Sequence, residues 1–397
     1  MRSKNHKKKS KIIAIFFLFS FFFTILFLLV PGEKIRQLNI FNALVYNPQN
    51  FRSDPLKTAP SSTNPNYLLP NEAPNLTLGS IFENATASST LDLAKFDPKK
   101  LTTIIVTGDI IPARSVNYKM TTYNNFRYPF EKTVDFLKSG DLTFSNLESP
   151  LTNDCQDTTE GMTFCGNQRF IEGLTYAGID IVSLANNHSG NYGSEGIKQT
   201  EDLLSENKID YVGAGNTIIK EIHGVKFAFL AFNGVGNYFD QEEIKGKIHA
   251  ARKASDVVIV APHWGKEYVS IPESSPGVAP DDPKEIAHLI VDAGADLVIG
   301  NHPHWAQGVE IYKDKFIAYA HGNFIFDQMW SQETREGVVG KYTFYDKKLI
   351  NVKFYPVLIE DYSQPHFLSD QEGDLILERM RQASEKIQVQ TIKLPKG

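Results

Sequence analysis

The sequence predicts an α/β domain with a mixed sheet, and three observations carry that prediction. From Leu101 onward, short apolar, β-branched runs alternate with stretches that have helical faces. Six of those runs stop abruptly at residues that bind metals or carry polar groups. Gly308–Tyr312, Lys313-Asp314 and Lys315–Ala320 spell a hairpin, which places an antiparallel pair among otherwise parallel strands.

The elements before that domain are of another kind. Residues 1–11 carry Arg2, Lys4, Lys7, Lys8, Lys9 and Lys11 and no acid. Ile12–Val30 is apolar apart from Ser20 and Thr24. As a helix at ~1.5 Å per residue it matches the ~30 Å hydrocarbon thickness of a bilayer. The basic flank predicts a cytoplasmic N-terminus and a single-pass anchor in the cell membrane, with the main domain outside. A cleaved signal peptide is the rival reading. Its apolar part is usually shorter, and Val30-Pro31-Gly32-Glu33 is a poor cleavage site. Residues 31–98, rich in Pro, Asn, Ser and Thr, are expected to be an extended or disordered spacer. Residues 99–365 are the expected main domain. Residues 366–397 are its C-terminal tail, with an amphipathic helix from Asp370 to Lys386.

The six runs within the domain are expected to be buried strands. They are Ile104–Val106 before Gly108-Asp109, Leu142–Phe144 before Asn146-Leu147-Glu148, and Ile181–Leu184 before Asn186-Asn187-His188. The others are Val257–Val260 before His263-Trp264-Gly265, Leu297–Ile299 before His302-Pro303-His304, and Phe316–Tyr319 before His321-Gly322-Asn323. In parallel sheets, ligands gather beyond the carboxyl ends of the strands. Gly224–Phe232 is a further strand. Helices are expected over Phe130–Lys138, Arg169–Ala177, Ser194–Asn207, Glu242–Ala254 and Pro283–Ala293. The last has an N-cap acid, Asp282, a first-turn proline and a capping-box Glu285.

Taken singly, Asp109 and Glu148 fit ordinary turn residues and His263 a structural histidine. Placed together at strand ends, they form a candidate metal site. Carboxylates suit Mn, Mg, Fe or Zn, and imidazoles spaced as in His302 and His304 can face one ion or two. Two metals ~3.5–4 Å apart activate water and hold the attacking and leaving oxygens of a phosphoryl group. Asn186 and Asn187 offer amide oxygens, and His188 can transfer protons. Glu267 suggests a cleft wall, Asn323 a support for a ligand, and His321 an extra ligand. Cys155 and Cys165 suit a disulfide in an oxidising compartment, with free thiols or metal ligation as alternatives.

The whole chain has a formal charge of −5 although residues 1–30 are purely basic, so the exported part is distinctly acidic. That argues against a nucleic-acid partner. An anionic substrate is not excluded, because metal ions reverse the local field.

In order, the residues Gly108-Asp109-Ile-Ile-Pro-Ala-Arg114, Asn146-Leu147-Glu148-Ser-Pro150, Ala185-Asn186-Asn187-His188, His263-Trp264-Gly265-Lys-Glu267-Tyr268, Gly300-Asn-His302-Pro303-His304 and Gly322-Asn323-Phe324-Ile-Phe-Asp327-Gln328 resemble the CapA-type poly-γ-glutamate capsule-synthesis family. That family is related to calcineurin-like metallophosphoesterases. The resemblance runs from about Leu101 to Val357. It implies a four-layer α/β/β/α metallophosphatase-like sandwich with mixed sheets. It also implies Asp109, Glu148, Asn187, His263, His302 and His304 as ligands of two divalent metals. His188 would be the proton donor or transition-state stabiliser, and Arg114 would bind an anionic group. The implied activity is metal-dependent hydrolysis of a phosphoester or polymer amide, with capsule synthase or export subunits as partners. The other reading is a non-catalytic assembly subunit. Relatives often carry Asp at the position of Asn191, His at that of Asn301 and an apolar residue at that of His321.

Overall fold

A computed structural model describes residues 67–82, 91–213 and 215–393. The chain has a mixed α/β fold with several sheets. Edge to edge, the largest sheet runs Gln364–Phe367, Lys348–Glu360, Glu336–Tyr345, Leu101–Ile110, Leu142–Leu147, Ile181–Ser183 and Asp210–Val212. Asn323–Ile325 joins it alongside the end of Leu101–Ile110. Leu101–Ile110, Leu142–Leu147, Ile181–Ser183 and Asp210–Val212 are parallel to one another. Glu336–Tyr345 and the strands beyond it are antiparallel.

The second sheet runs Val309–Tyr312, Lys315–Ala318, Leu297–Ile299, Val257–His263, Val225–Asn233 and Ile218–Ile222. Its four middle strands are parallel, and the expected hairpin closes one edge antiparallel. The six apolar runs are therefore split between two sheets.

Alternation along the strands explains how the sheets are covered. Ile104, Val106 and Phe144 share one core cluster with Phe227, Phe229 and Ile259, so one face of each sheet meets the other. Ile105, Val182 and Val339 point the opposite way, onto Met120, Phe170 and Leu174 of the Ser115–Tyr123 and Phe170–Ala177 helices. Leu230, Val258 and Val298 likewise meet Ile248, Ile286 and Ile290 of the Gln241–Ala254 and Pro283–Asp292 helices.

Several expectations need correction. The described part of the expected 31–98 spacer is folded onto the domain. Ala73 and Phe96 pack with Tyr345 and Ile350, Ile81 joins the core between the sheets, and the Tyr345 hydroxyl donates to the Leu68 carbonyl at 2.8 Å. Its few apolar residues are spaced too widely to show a periodicity, yet they suffice to pack against Tyr345 and Ile350 and into the core between the sheets. Phe130–Lys138 is not one helix but a turn at Tyr128–Phe130 followed by a helix at Val134–Leu137. The Thr133 hydroxyl donates to the Phe130 carbonyl at 3.3 Å, a local bond that competes with helical continuation. The C-terminal helix spans Asp370–Lys393 and is integral, with Ile376, Met380, Ala383 and Ile387 buried. The Gln364–Phe367 strand crosses the expected boundary at residue 365.

Among the described residues no helix is long and apolar enough to cross a membrane. The expected basic tail and anchor, residues 1–11 and Ile12–Val30, lie outside the described residues.

Candidate metal centre

Asp109 is near the end of its strand because two backbones pass unusually close there. A Cβ on Gly108 would stand 2.1 Å from the Gly322 carbonyl oxygen, so only glycine fits. That approach lets Asp109 N–H donate to Gly322 at 2.9 Å and pairs Asp109 with Asn323 in register. Glu148 follows the adjacent parallel strand, and Asn187 and His188 follow the next. His263 ends its strand in the second sheet, and His302 and His304 lie in the loop after the neighbouring one. The carboxyl ends of both sheets thus deliver donors to one place.

Two groups of donor atoms lie within 4.8 Å of one another: Asp109, Glu148 and His263, and Glu148, His302 and His304. All five side chains are buried, and Glu148 belongs to both groups. Asn187 Oδ1 contacts His263 Nε2 at 2.8 Å, adding the expected amide oxygen. Asn146 ties the carboxylates together, its Nδ2 donating to Asp109 Oδ1 at 2.8 Å and to Glu148 Oε2 at 3.1 Å. Asn186 supports Asn146 in turn, donating to its Oδ1 at 3.2 Å and to the Leu147 carbonyl at 2.9 Å. Asn323 Oδ1 contacts His304 Nδ1 at 3.0 Å. Glu267 reaches in from the half-exposed side, 3.9 Å from His302 Nε2 and 4.0 Å from His304 Nε2.

The donor set fits a divalent cation. Glu148 Oε1, His263 Nδ1 and both ring nitrogens of His302 are buried and have no hydrogen-bond partner. Buried polar atoms are normally paired, and leaving one unpaired costs about 1–3 kcal/mol. The chemistry of the set, carboxylate plus imidazole plus amide oxygen, suits Mn, Fe or Zn.

Burial, and then the nearby Asp109 charge, push the Glu148 carboxyl well above its ordinary range. Burial would also raise Asp109, but the hydrogen bond and charge of His304, 3.2 Å away, bring it below its usual value. For His304, burial is outweighed by Asp109 and Glu148, and its pKa rises to about 9. Burial lowers His263 to about 3 and puts His302 well below the usual range. Burial thus favours the neutral imidazole, the form that ligates a metal, at His263 and His302, whereas Asp109 and Glu148 favour the protonated form of His304.

His188 lines an adjacent cleft of ≈ 370 Å³ together with Glu267, Tyr268, His304 and Trp330. Its Nδ1 lies 2.9 Å from Asn191 Oδ1, and burial lowers its pKa to about 4. The family resemblance implied a proton donor or transition-state stabiliser; burial favours the neutral imidazole, and the hydrogen bond to Asn191 opposes it.

Two expected site residues are engaged elsewhere. Arg114 forms an ion pair with Asp327, and its Nη1 donates to the Gly161 carbonyl at 3.3 Å, so its guanidinium braces loops although it lines the cleft. His321 contacts the Tyr342 hydroxyl at 2.8 Å and packs on Tyr342 and Phe354, within the core between the sheets. Cys155 and Cys165 are joined in a disulfide. Asn146 was not expected as a support, although its place between an apolar run and Glu148 was a usable signal. Phe164 and Trp330 were not expected either, and no local pattern marks them.

A family profile described as "Bacterial capsule synthesis protein PGA_cap" matches residues 103–328. The chain is 29% identical over 291 residues to "Capsule biosynthesis protein CapA" of Bacillus anthracis, a match covering 66% of this chain and 68% of that protein. It is 30% identical over 258 residues to "PGA biosynthesis protein CapA" of Bacillus subtilis strain 168, covering 59% of this chain and 66% of the relative. The matched part thus spans about two thirds of those relatives' own length. Among solved structures, a hypothetical protein from Thermus thermophilus aligns over 64% of this chain and 98% of its own, at 15% identity and a TM-score of 0.42, a likeness too low to carry functional weight. The profile match covers most of the folded domain and every donor described above, and on that ground this chain belongs to the bacterial capsule synthesis protein PGA_cap family.

Proposed function

We propose that this protein is a membrane-anchored, extracytoplasmic metal-dependent hydrolase of capsule or poly-γ-glutamate synthesis, acting on a phosphoester or on an amide of the polymer. The fold is read as a four-layer α/β/β/α metallophosphatase-like sandwich. The observation that carries the proposal is Glu148: one buried carboxylate common to two donor groups, with an unpartnered oxygen. Asp109, His263 and Asn187 would hold one divalent ion and His302 and His304 a second, with Glu148 between them. Bound there, divalent ions supply Lewis acidity and lower the pKa of water. The chain's own residues do the rest. Asn146 and Asn323 fix the ligands, and His188 at the cleft is the group that transfers a proton. Tyr268 and Trp330 line the wall beside it.

The anchor reading rests on the apolar Ile12–Val30 run behind its basic flank. The Cys155–Cys165 disulfide supports an oxidising, extracytoplasmic location for the domain. The partners proposed with it are polymer synthase or export subunits in the same membrane. The second reading, a non-catalytic assembly subunit, is favoured by one feature: Asp327 already neutralises Arg114, which leaves the cleft without a free guanidinium for an anionic substrate.

The test is turnover. The full chain, purified with Mn²⁺, is given poly-γ-glutamate and a panel of phosphomonoesters and phosphodiesters, beside a His188→Ala variant. Hydrolysis by the native chain that falls in the variant supports the enzyme. No turnover of any substrate by a metal-loaded chain rejects it in favour of the assembly role.

A further inference from the structure

The disulfide loop forms one wall of the cleft, through Thr159, Met162 and Phe164. Phe164 is 2% exposed and neighbours Cys165. Its ring stacks on His188, with centroids 4.1 Å apart and planes at 27°. Its backbone N–H donates to Asn191 Oδ1 at 2.7 Å, and that oxygen also faces His188 Nδ1 at 2.9 Å. Receiving one N–H identifies the Asn191 atom as the oxygen, an acceptor only. His188 Nδ1 must therefore carry the hydrogen, which leaves Nε2 as the ring's basic nitrogen. One residue thus governs the plane of the imidazole directly and its tautomer through Asn191.

Phe164 is itself held from several sides. Cys165 is bonded to Cys155, and its sulfur lies 3.2 Å from the Tyr192 hydroxyl. The Gly161 carbonyl accepts from Arg114, whose guanidinium sits 4.9 Å from the Phe164 ring centre and 4.9 Å from that of Phe326. Arg114 therefore closes the loop onto the rest of the cleft.

We propose that Phe164, held by the Cys155–Cys165 disulfide, is a positioning residue for His188. It keeps the imidazole in the Nδ1–H tautomer with Nε2 as the nitrogen available to the cleft. The disulfide is then a component of the site, and reducing it loosens His188 before it unfolds the domain. The proposal rests on the reading that His188 acts in the cleft.

The experiment records long-range ¹H–¹⁵N spectra of the full-length chain labelled at histidine. In the native chain His188 shows a single Nδ1–H tautomer. In Cys155→Ser/Cys165→Ser, which frees the backbone N–H of residue 164 from Asn191, the Nε2–H form appears and the two exchange. In Phe164→Ala, which keeps that N–H but loses the stacked ring, the His188 signals shift and broaden, while Phe164→Tyr restores them. With a substrate in hand, kcat of Phe164→Ala falls about 10- to 100-fold with KM little changed, as expected for a misplaced reacting group. An unaltered His188 spectrum in Phe164→Ala overturns the proposal, and that variant keeps its cysteines, so the outcome stands even if the double variant fails to fold. These spectral changes in the variants, with a native chain that turns over no substrate, remove the hydrolase reading and leave the positioning role intact.

Discussion

Glu148 Oε1 stands 3.6 Å from His263 Nε2, and neither atom's side chain is more than 1% exposed. The separation is too long for a hydrogen bond. Two ligands each ~2.1 Å from one cation sit about 3–3.5 Å apart, close to what is seen. A buried carboxylate raised well above its usual pKa, with an unpartnered oxygen in front of an imidazole, is the signature of a place that expects a positive charge.

Replacing Glu148 by Gln removes the charge common to both donor groups while keeping the bond from Asn146 in reach. Metal content of the purified chain, measured by plasma mass spectrometry, should fall by more than half. The melting temperature of the chelator-stripped protein should hold or rise, because the buried charge is unfavourable without its cation. Unchanged metal content would place the metal elsewhere.

His188→Ala should leave metal content as it is and lower kcat by roughly 10²- to 10⁴-fold, the usual range for loss of a positioned proton-transfer group. Parallel losses of metal and activity would make His188 a ligand.

Asn191→Asp places a carboxylate 2.9 Å from His188 Nδ1. Burial now holds His188 near 4, and a neighbouring negative charge favours the imidazolium. The pKa of His188, followed by NMR, should rise by about 1–3 units. That shift brings the imidazolium form of His188 closer to neutral pH. A pKa that does not move would mean that Asn191 is not the partner.

His321 supplies a pH dependence of its own, dominated by burial, with the Asp109 charge opposing it. Burial lowers its pKa from 6.5 to about 4. The unfolded chain therefore takes a proton as pH falls through 6.5, while the folded chain does not until about 4. Stability is lost across that window as pH falls, by an amount of order 3 kcal/mol. His321→Leu should flatten this limb of a denaturation series between those two values. It should also cost about 1 kcal/mol at all pH values through the unpaired Tyr342 hydroxyl. An acid limb as steep as the native one would refute the assignment.

Ile387 is fully buried against the helical layer of the second sheet. Ile387→Ala should destabilise the domain by about 2–5 kcal/mol in urea titrations. A loss below ~0.5 kcal/mol would show that the C-terminal helix is peripheral after all.

The donors were legible because each follows an apolar run directly, and a parallel strand always releases its next residues at the same edge. Glu148 after Leu142–Leu147 and His263 at the end of Val257–His263 are examples. That these two strands belong to different sheets was not legible, since both runs look alike and only long-range packing of Phe144 on Phe229 separates them. Arg114 read as a free cation for the same reason. Its partner Asp327 lies 213 residues further along, and no local pattern announces an ion pair at that distance. His321 follows its strand as the candidate donors do, yet its ring is taken up by Tyr342 of a strand carrying no recognisable chemistry. Phe164 looked like an ordinary loop residue because its importance comes from what it touches.

Anomalous diffraction from crystals of the chain grown with Mn²⁺ tests the central claim most directly. The account predicts manganese density within ligand distance of Glu148, bounded by Asp109 and His263 on one side or by His302 and His304 on the other. Bound manganese seen only away from Glu148, or none at all in a chain whose donors are intact, would contradict it.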